Sequence, residues 1–241
     1  MWEATLPDAF VLDENVTVDE QLLTYRGRVS FKQYIPSKPG KYGIKMWMLC
    51  DSRTSYVHRL QIYTGRPAGQ EREQNQGERV VLDLTRDLQR SGRNVPTDNF
   101  FTCLSLVQKL KQHQMTLLGT IRKNRKELPS EFVNAKNREA LSTMFAFRDD
   151  STLVSYCAKR GKVVTLLSSL HSQAEVDNTH PGKKPQMILD YNATKGGVDT
   201  ADQMLHVHNK ENDKALANDF LLQHDRHQCP QLLYHLDYTQ P

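Results

Sequence analysis

No apolar run in this chain approaches the roughly 20 residues that a membrane-spanning helix needs. Its first residues, Met1, Trp2, Glu3 and Ala4, lack the charged and apolar regions of a secretory signal. A soluble intracellular protein with no membrane partner is the expectation. The four cysteines, Cys50, Cys103, Cys157 and Cys229, are scattered, and no C-x-x-C pair suggests a zinc knuckle or a redox motif. Reduced thiols are therefore expected. Internal repeats and low-complexity tracts are also missing, which argues against a solenoid or a linker-like chain. Gly196 and Gly197 carry no P-loop pattern with them, so they read as a turn requiring positive φ rather than a phosphate cradle.

Charge of either sign is scarce in the balance: +4 over 241 residues does not by itself demand a nucleic-acid partner. The excess is unevenly spread, however. Residues 122–184 hold twelve Lys/Arg against seven Asp/Glu, a local +5 that leaves −1 for the remainder. With 38% hydrophobic residues the chain has enough apolar side chains for one sizeable core.

The patterning alternates between strand and helix. Val16 and Val18 alternate with polar neighbours, while residues 42–50 (YGIKMWMLC) and 56–63 (YVHRLQIY) are apolar and aromatic at strand length. Val80, Leu84 and Leu88 recur every four residues and predict a helix. Residues 93–97 predict a strand, Leu104, Val107 and Leu110 a second helix, and residues 115–121 (MTLLGTI) a further strand. This succession predicts an α/β layer structure, mixed in type, with helices packed on a sheet. Residues 143–147, 153–158 and 163–169 form three short strand-like runs that suggest an antiparallel insertion. Residues 186–191 (QMILDY) read as another strand, and 198–205 as a helix; Trp47 reads as core.

Three acidic positions stand where elements end or begin. Asp19 lies in VTVDEQL, Asp98 in VPTDNFF, and Asp199 with Asp202 in GGVDTADQM. Positions i and i+3 share a helix face, so Asp199 and Asp202 can project toward one point. Carboxylates on separate rigid elements suit Mg²⁺ (or Mn²⁺), which keeps water and takes substrate phosphate rather than a closed protein cage. Two such ions about 4 Å apart activate the attacking oxygen and stabilise the leaving oxygen in phosphodiester cleavage. Aspartate at strand ends and helix N-termini serves equally well as a cap, and spacing alone does not choose between the two roles.

At these residues the chain resembles a known family. The strings VTVDEQLLTYRGR, YIPSKPGKYGIKMWMLCDS, TDNFFT, LLGTIRKNRKELP, TLVSYCAKRGKVVTLLSS and KPQMILDYNATKGGVDTADQM follow one another between residues 13 and 204, and this ordered set resembles the piggyBac transposase family and the host genes derived from it. The resemblance implies an RNase H-like catalytic core interrupted by a β-rich insertion. Residues 1–124 are then the first part of the core, 125–185 the insertion, and 186–205 the second part. It implies Asp19, Asp98 and Asp199 as catalytic, metal-binding aspartates, with Asp202 the additional acidic residue of the last motif. It also implies a nuclear protein acting on transposon ends and TTAA targets in DNA, without a small-molecule substrate, in a family that dimerises. Arg26, Arg28, Lys32, Lys38, Lys41 and Lys45 become candidates to hold backbone phosphates.

The chain departs from the family pattern at both ends. Almost none of the family's long N-terminal part precedes Asp13, and no cysteine-rich zinc-binding end follows. Residues 206–241 read as a divergent tail holding five of the nine histidines, with His224, His227 and Cys229 at a spacing that can be drawn as a zinc site but reads as unrelated sequence. The expectation is a core truncated in its second part that does not complete transposition alone. A domesticated or decayed transposon-derived protein that binds DNA or chromatin without catalysis is the alternative.

Overall fold

The computed structural model describes residues 2–208, apart from positions 67, 68, 70, 72, 149 and 180. The divergent tail from residue 209 onward, with His224, His227 and Cys229, lies outside the described residues.

A helix, α1 (Trp2–Ala9), precedes the strands β1 (Val16–Thr24), β2 (Gln33–Tyr34), β3 (Tyr42–Asp51) and β4 (Val57–Ile62). Helix α2 (Gln76–Leu84) leads to β5 (Asn94–Thr97), and α3 (Leu104–Gln112) to β6 (Thr116–Thr120). A short helix, α4 (Ser130–Val133), comes before β7 (Thr143–Arg148), β8 (Ser151–Lys159) and β9 (Lys162–Ser168), and the helices α5 (Gln186–Thr194) and α6 (Gly197–His208) follow. The strands form one sheet in the order β2-β3-β1-β5-β6-β9-β8-β7, with β4 also paired to β3. β1 runs antiparallel to β3 but parallel to β5, and β5 runs parallel to β6. The mixed α/β architecture expected from the alternating pattern is present.

Period-two alternation divides the core between the two faces of the sheet. On one face Val16, Val18, Trp47, Leu49, Val95 and Leu117 pack against Val80, Val81 and Leu84 of α2 and Leu106, Val107 and Leu110 of α3. On the other, Ile44, Met46, Met48 and Cys50 meet Val198 and Ala201 of α6, while Leu118, Val154, Tyr156 and Leu166 meet Met187, Ile188 and Tyr191 of α5. Each such side chain contributes about 1.5–3 kcal/mol by leaving water. Truncating the fully buried Leu106 to alanine would cost about 2–5 kcal/mol.

Two local expectations are corrected and a third is extended. Residues 186–191 are the first turns of α5 rather than a strand. Met187, Ile188 and Tyr191 lie at helical spacing and form its buried stripe, and an apolar run of this length fits either period. Leu88 is not on α2, because the helix stops at Leu84. Thr85 turns its hydroxyl back to the Val81 carbonyl at 2.8 Å, and Leu88 packs from a separate 3₁₀ turn, Arg86–Leu88. Finally, β7, β8 and β9 do pair antiparallel, but β9 also bonds to β6 through Leu118↔Ser168, Gly119↔Leu167 and Thr120↔Leu166. The antiparallel β-rich stretch therefore continues the sheet.

Candidate active site

Parallel pairing places two of the aspartates side by side. Val18 on β1 is in register with Thr97 on β5, so the next residues, Asp19 and Asp98, emerge together where β5 ends. Asp98 then begins a tight turn: its carboxylate accepts from the Phe100 N–H at 2.8 Å, and its carbonyl accepts from the Thr102 hydroxyl at 2.8 Å. Thr97 and Thr102 close that turn through their hydroxyls, 2.8 Å apart.

The third aspartate arrives on α6, which lies against the same face of β1. Thr17 donates its hydroxyl to the Thr194 carbonyl at 2.6 Å and lies 2.7 Å from the Ser52 hydroxyl. Gly197 is the residue that permits this approach. A Cβ there would stand 3.0 Å from Thr17 Oγ1, 3.2 Å from the Asp51 carbonyl oxygen and 3.3 Å from Ser52 Cα. The expectation of a positive φ at Gly196 and Gly197 is not met, since neither is among the positive-φ glycines; close packing is what Gly197 supplies. Two residues along β1 from Asp19, Gln21 donates from Nε2 to Asp202 Oδ1 at 2.7 Å. Thr17, Asp19 and Gln21 thus line one side of the strand and meet α6 in sequence.

The electrostatics bring the same groups together. Burial pushes the Asp19 carboxyl up to about 7; the Glu20 N–H opposes this, while the negative charges of Asp98 and Asp199 add to it and Lys38 works against it. Asp98 is raised as well, mainly by burial and further by Glu20, against the N–H groups of Phe100 and Phe101 and the Arg122 guanidinium. Tyr191 on α5 is pushed up to about 12 by burial, with a Thr120 hydrogen bond opposing and the fields of Asp98, Asp19 and Asp199 adding. Its helix is held to β9 by His171, which bridges Ser168 Oγ and Asp190 Oδ2, each at 2.8 Å. Among the described residues, no three His, Cys, Asp or Glu side chains are grouped so as to hold an ion by themselves. The aspartates share a field without forming a closed cage.

The basic candidates separate into two kinds. Lys45 is ion-paired to Glu20 at 2.7 Å and lies over the rings of Trp47 and Phe100, 5.5 and 5.1 Å from their centroids, so its charge is already engaged. Lys38 donates to the Glu20 carbonyl at 3.2 Å, and Lys32 to the Gly27 carbonyl at 3.1 Å. Arg26, Arg28 and Lys41 are exposed. Trp47 is buried as expected.

Arg122 was not singled out by the sequence. It reaches Asn99 Oδ1 at 3.3 Å and covers the other cation contact of Phe100, 5.6 Å from the ring. Phe100 and Arg122 also line an open groove of about 1490 Å³ whose other cations are Arg66, Arg79, Arg125 and Lys126. Gln21 was missed too, although its period-two relation to Asp19 was visible. Tyr191 could not be found while its segment was read as a strand.

A mixed sheet with one aspartate inside β1, a second just past the end of the neighbouring β5 and a third on a packed helix has the layout of a DDE-type transposase core. Residues 1–218 match the family described as Transposase IS4. In a cryo-EM structure of the piggyBac transposase synaptic complex with hairpin DNA, a chain 41% identical superposes with a TM-score of 0.79, covering 86% of this chain and 43% of that one. The human PiggyBac transposable element-derived protein 3 is 32% identical over 204 residues, 77% of this chain and 34% of that protein. The human chimeric ERCC6-PGBD3 protein shares the same identity over the same length, 19% of its own. The chain belongs to the piggyBac transposase family, and its sheet is the RNase H-like DDE core of that family. It spans about a third of the length of the first curated relative and under half of the solved transposase chain.

Proposed function

We propose that this domain performs metal-dependent cleavage and strand transfer of DNA at transposon ends, with TTAA as the target, acting in the nucleus as part of a homodimer. The observation that carries this reading is the placing of Asp19 on β1 beside Asp98 past the end of β5, with α6 and its Asp199 docked on the same side of β1. Burial raises the Asp19 and Asp98 carboxyls, and the charges of Asp98 and Asp199 add to the rise at Asp19; a hard divalent cation would offset that repulsion. Asp19, Asp98 and Asp199 would hold Mg²⁺ or Mn²⁺, with Asp202 steadied by Gln21 at the edge. When bound, the ions would supply charge stabilisation for the attacking and leaving oxygens of a phosphodiester. The chain's own residues orient the aspartates: Phe100 N–H fixes Asp98, and Thr17 with Gly197 fixes the α6 start. Arg26, Arg28, Lys32, Lys38 and Lys41, with Arg66, Arg122, Arg125 and Lys126 of the groove that Glu71, Glu73 and Glu127 also line, would supply phosphate contacts without sequence reading.

A second reading is a transposon-derived protein that binds DNA or chromatin without cutting it, favoured by the name of the 32% identical human relative. Nicking of supercoiled plasmid by the purified chain in Mg²⁺ or Mn²⁺ separates the two. Metal-dependent nicking that disappears in Asp19→Asn supports catalysis. DNA binding with no nicking in either metal supports the second reading and overturns the first.

A further inference from the structure

Tyr34 and Tyr42 face each other across the β2–β3 pair, with ring centroids 4.7 Å apart and planes at 33°. Each is 55% exposed, so the pair leaves much of its aromatic surface in solvent. The stretch of chain that carries it has one sign of charge. Residues 21–50 contain no Asp or Glu, yet they hold Arg26, Arg28, Lys32, Lys38, Lys41 and Lys45. Among the described residues only Lys45 of these six is ion-paired.

The tyrosines are also fixed relative to the aspartates. The turn between them is closed by the Ile35 N–H on the Lys41 carbonyl at 2.8 Å and the Lys41 N–H on the Lys38 carbonyl at 3.0 Å. From this turn Lys38 reaches the backbone of Glu20, beside Asp19. Tyr42 shares a face of β3 with Ile44, Met46 and Met48, and Met48 is the register partner of Asp19. The platform thus lies on the side of the sheet that carries Asp19, about 20 Å along the strand at ~3.4 Å per residue.

We propose that Tyr34 and Tyr42 form a stacking platform for an unpaired nucleobase of a DNA strand whose phosphates run past Arg26, Arg28 and Lys41. The proposal rests on the DNA-processing reading above. Every base has a π-face that an aromatic ring accepts regardless of sequence, and flanking cations neutralise the phosphates on either side. A paired duplex keeps its base faces inside the stack, so the platform favours single strands over intact helix.

The test is fluorescence anisotropy of the full chain with a labelled single strand and a blunt duplex of equal length, over a salt series. Tyr34→Ala and Tyr42→Ala are expected to weaken single-strand binding about tenfold and duplex binding by less than about twofold, with the salt slope unchanged. Tyr34→Phe and Tyr42→Phe should bind as the unaltered protein does, and Lys41→Ala should weaken both probes and flatten the salt slope by roughly one phosphate contact. Alanine variants that bind single strands normally, alanine variants that lose the duplex equally, or phenylalanine variants that behave like alanine would each overturn the platform. If the unaltered chain binds DNA in a salt-sensitive way while the tyrosine variants match it, the platform alone is refuted. If it binds neither probe, the DNA-processing reading goes with it.

Discussion

Gln21 Nε2 and Asp202 Oδ1 lie 2.7 Å apart, a bond that ties the middle of β1 to the second turn of α6. Gln21 is 1% exposed; its Nε2 is spent on Asp202, while its buried Oε1 has no hydrogen-bond partner among the described residues. Gln21→Ala should cost about 1.5–3 kcal/mol, the range for a hydrogen bond to a charged group. Asp202→Asn keeps an acceptor oxygen at the same place and should cost less than about 1 kcal/mol. Urea unfolding of the two variants checks the order; equal losses would mean that the bond does not anchor α6.

Gly197 and Gly196 give a matched pair of substitutions. Gly197→Ala meets Thr17 and the Asp51 backbone and should cost about 1–3 kcal/mol of overpacking while moving Asp199 away from Asp19. Gly196→Ala meets only Thr200 Oγ1, at 4.0 Å, and should change stability by less than about 0.5 kcal/mol. Thermal unfolding beside plasmid nicking reads both effects. Nicking that survives Gly197→Ala would contradict the requirement for close docking of α6.

Asp98→Asn should separate folding from chemistry. An amide oxygen still accepts the Phe100 N–H, and removing a half-buried charge relieves the burial that raises the Asp98 pKa. Stability is therefore expected to hold or rise, while metal-dependent nicking falls by about a hundredfold or more. Titration with Mn²⁺ provides an independent reading, and unchanged metal binding in the variant would remove Asp98 from the site.

Glu78, buried between α2 and α3, gives a pH-dependent stability. Burial works to raise its pKa, but hydrogen bonds from Lys109, Ser105 and Cys103 overcome this and hold it below its ordinary 4.5. A depressed folded-state pKa contributes stability that is fully present above the unfolded value and is lost as pH falls through the folded one. Glu78→Gln should thus be less stable than the unaltered chain at neutral pH, by about 1–3 kcal/mol, and the gap should narrow below pH 4.5. Denaturation curves at neutral and acidic pH test the sign; a gap that widens in acid would be inconsistent with it.

Much of the sheet was legible because Val16 and Val18 alternate with polar neighbours and residues 42–50 and 56–63 are apolar and aromatic at strand length. Val16, Val18 and Leu22 against Thr17, Asp19 and Gln21 is a period-two signal that survives without any structure. The apolar run at Met187, Ile188 and Tyr191 was misread because six residues satisfy either period, and only the packing against Leu118 and Leu166 decides it. The aspartates were legible as motifs, but their neighbours were not. The charges of Lys38 and Arg122 act on Asp19 and Asp98 from a hairpin and a loop, and those long-range relations leave no local pattern.

The same alternation makes the length of β1 as consequential as its composition. Nine register pairs lock it to β3, so a single inserted or deleted residue ahead of Asp19 would turn the carboxylate into the apolar layer beneath α2 and α3 and swing a valine toward α6. An insertion of two would restore the facing but carry Asp19 about 7 Å past Asp98. Neither change leaves a partial site to be improved upon. Divergent copies of this domain can therefore drift by substitution along β1, while gains and losses of residues collect in the loops on either side.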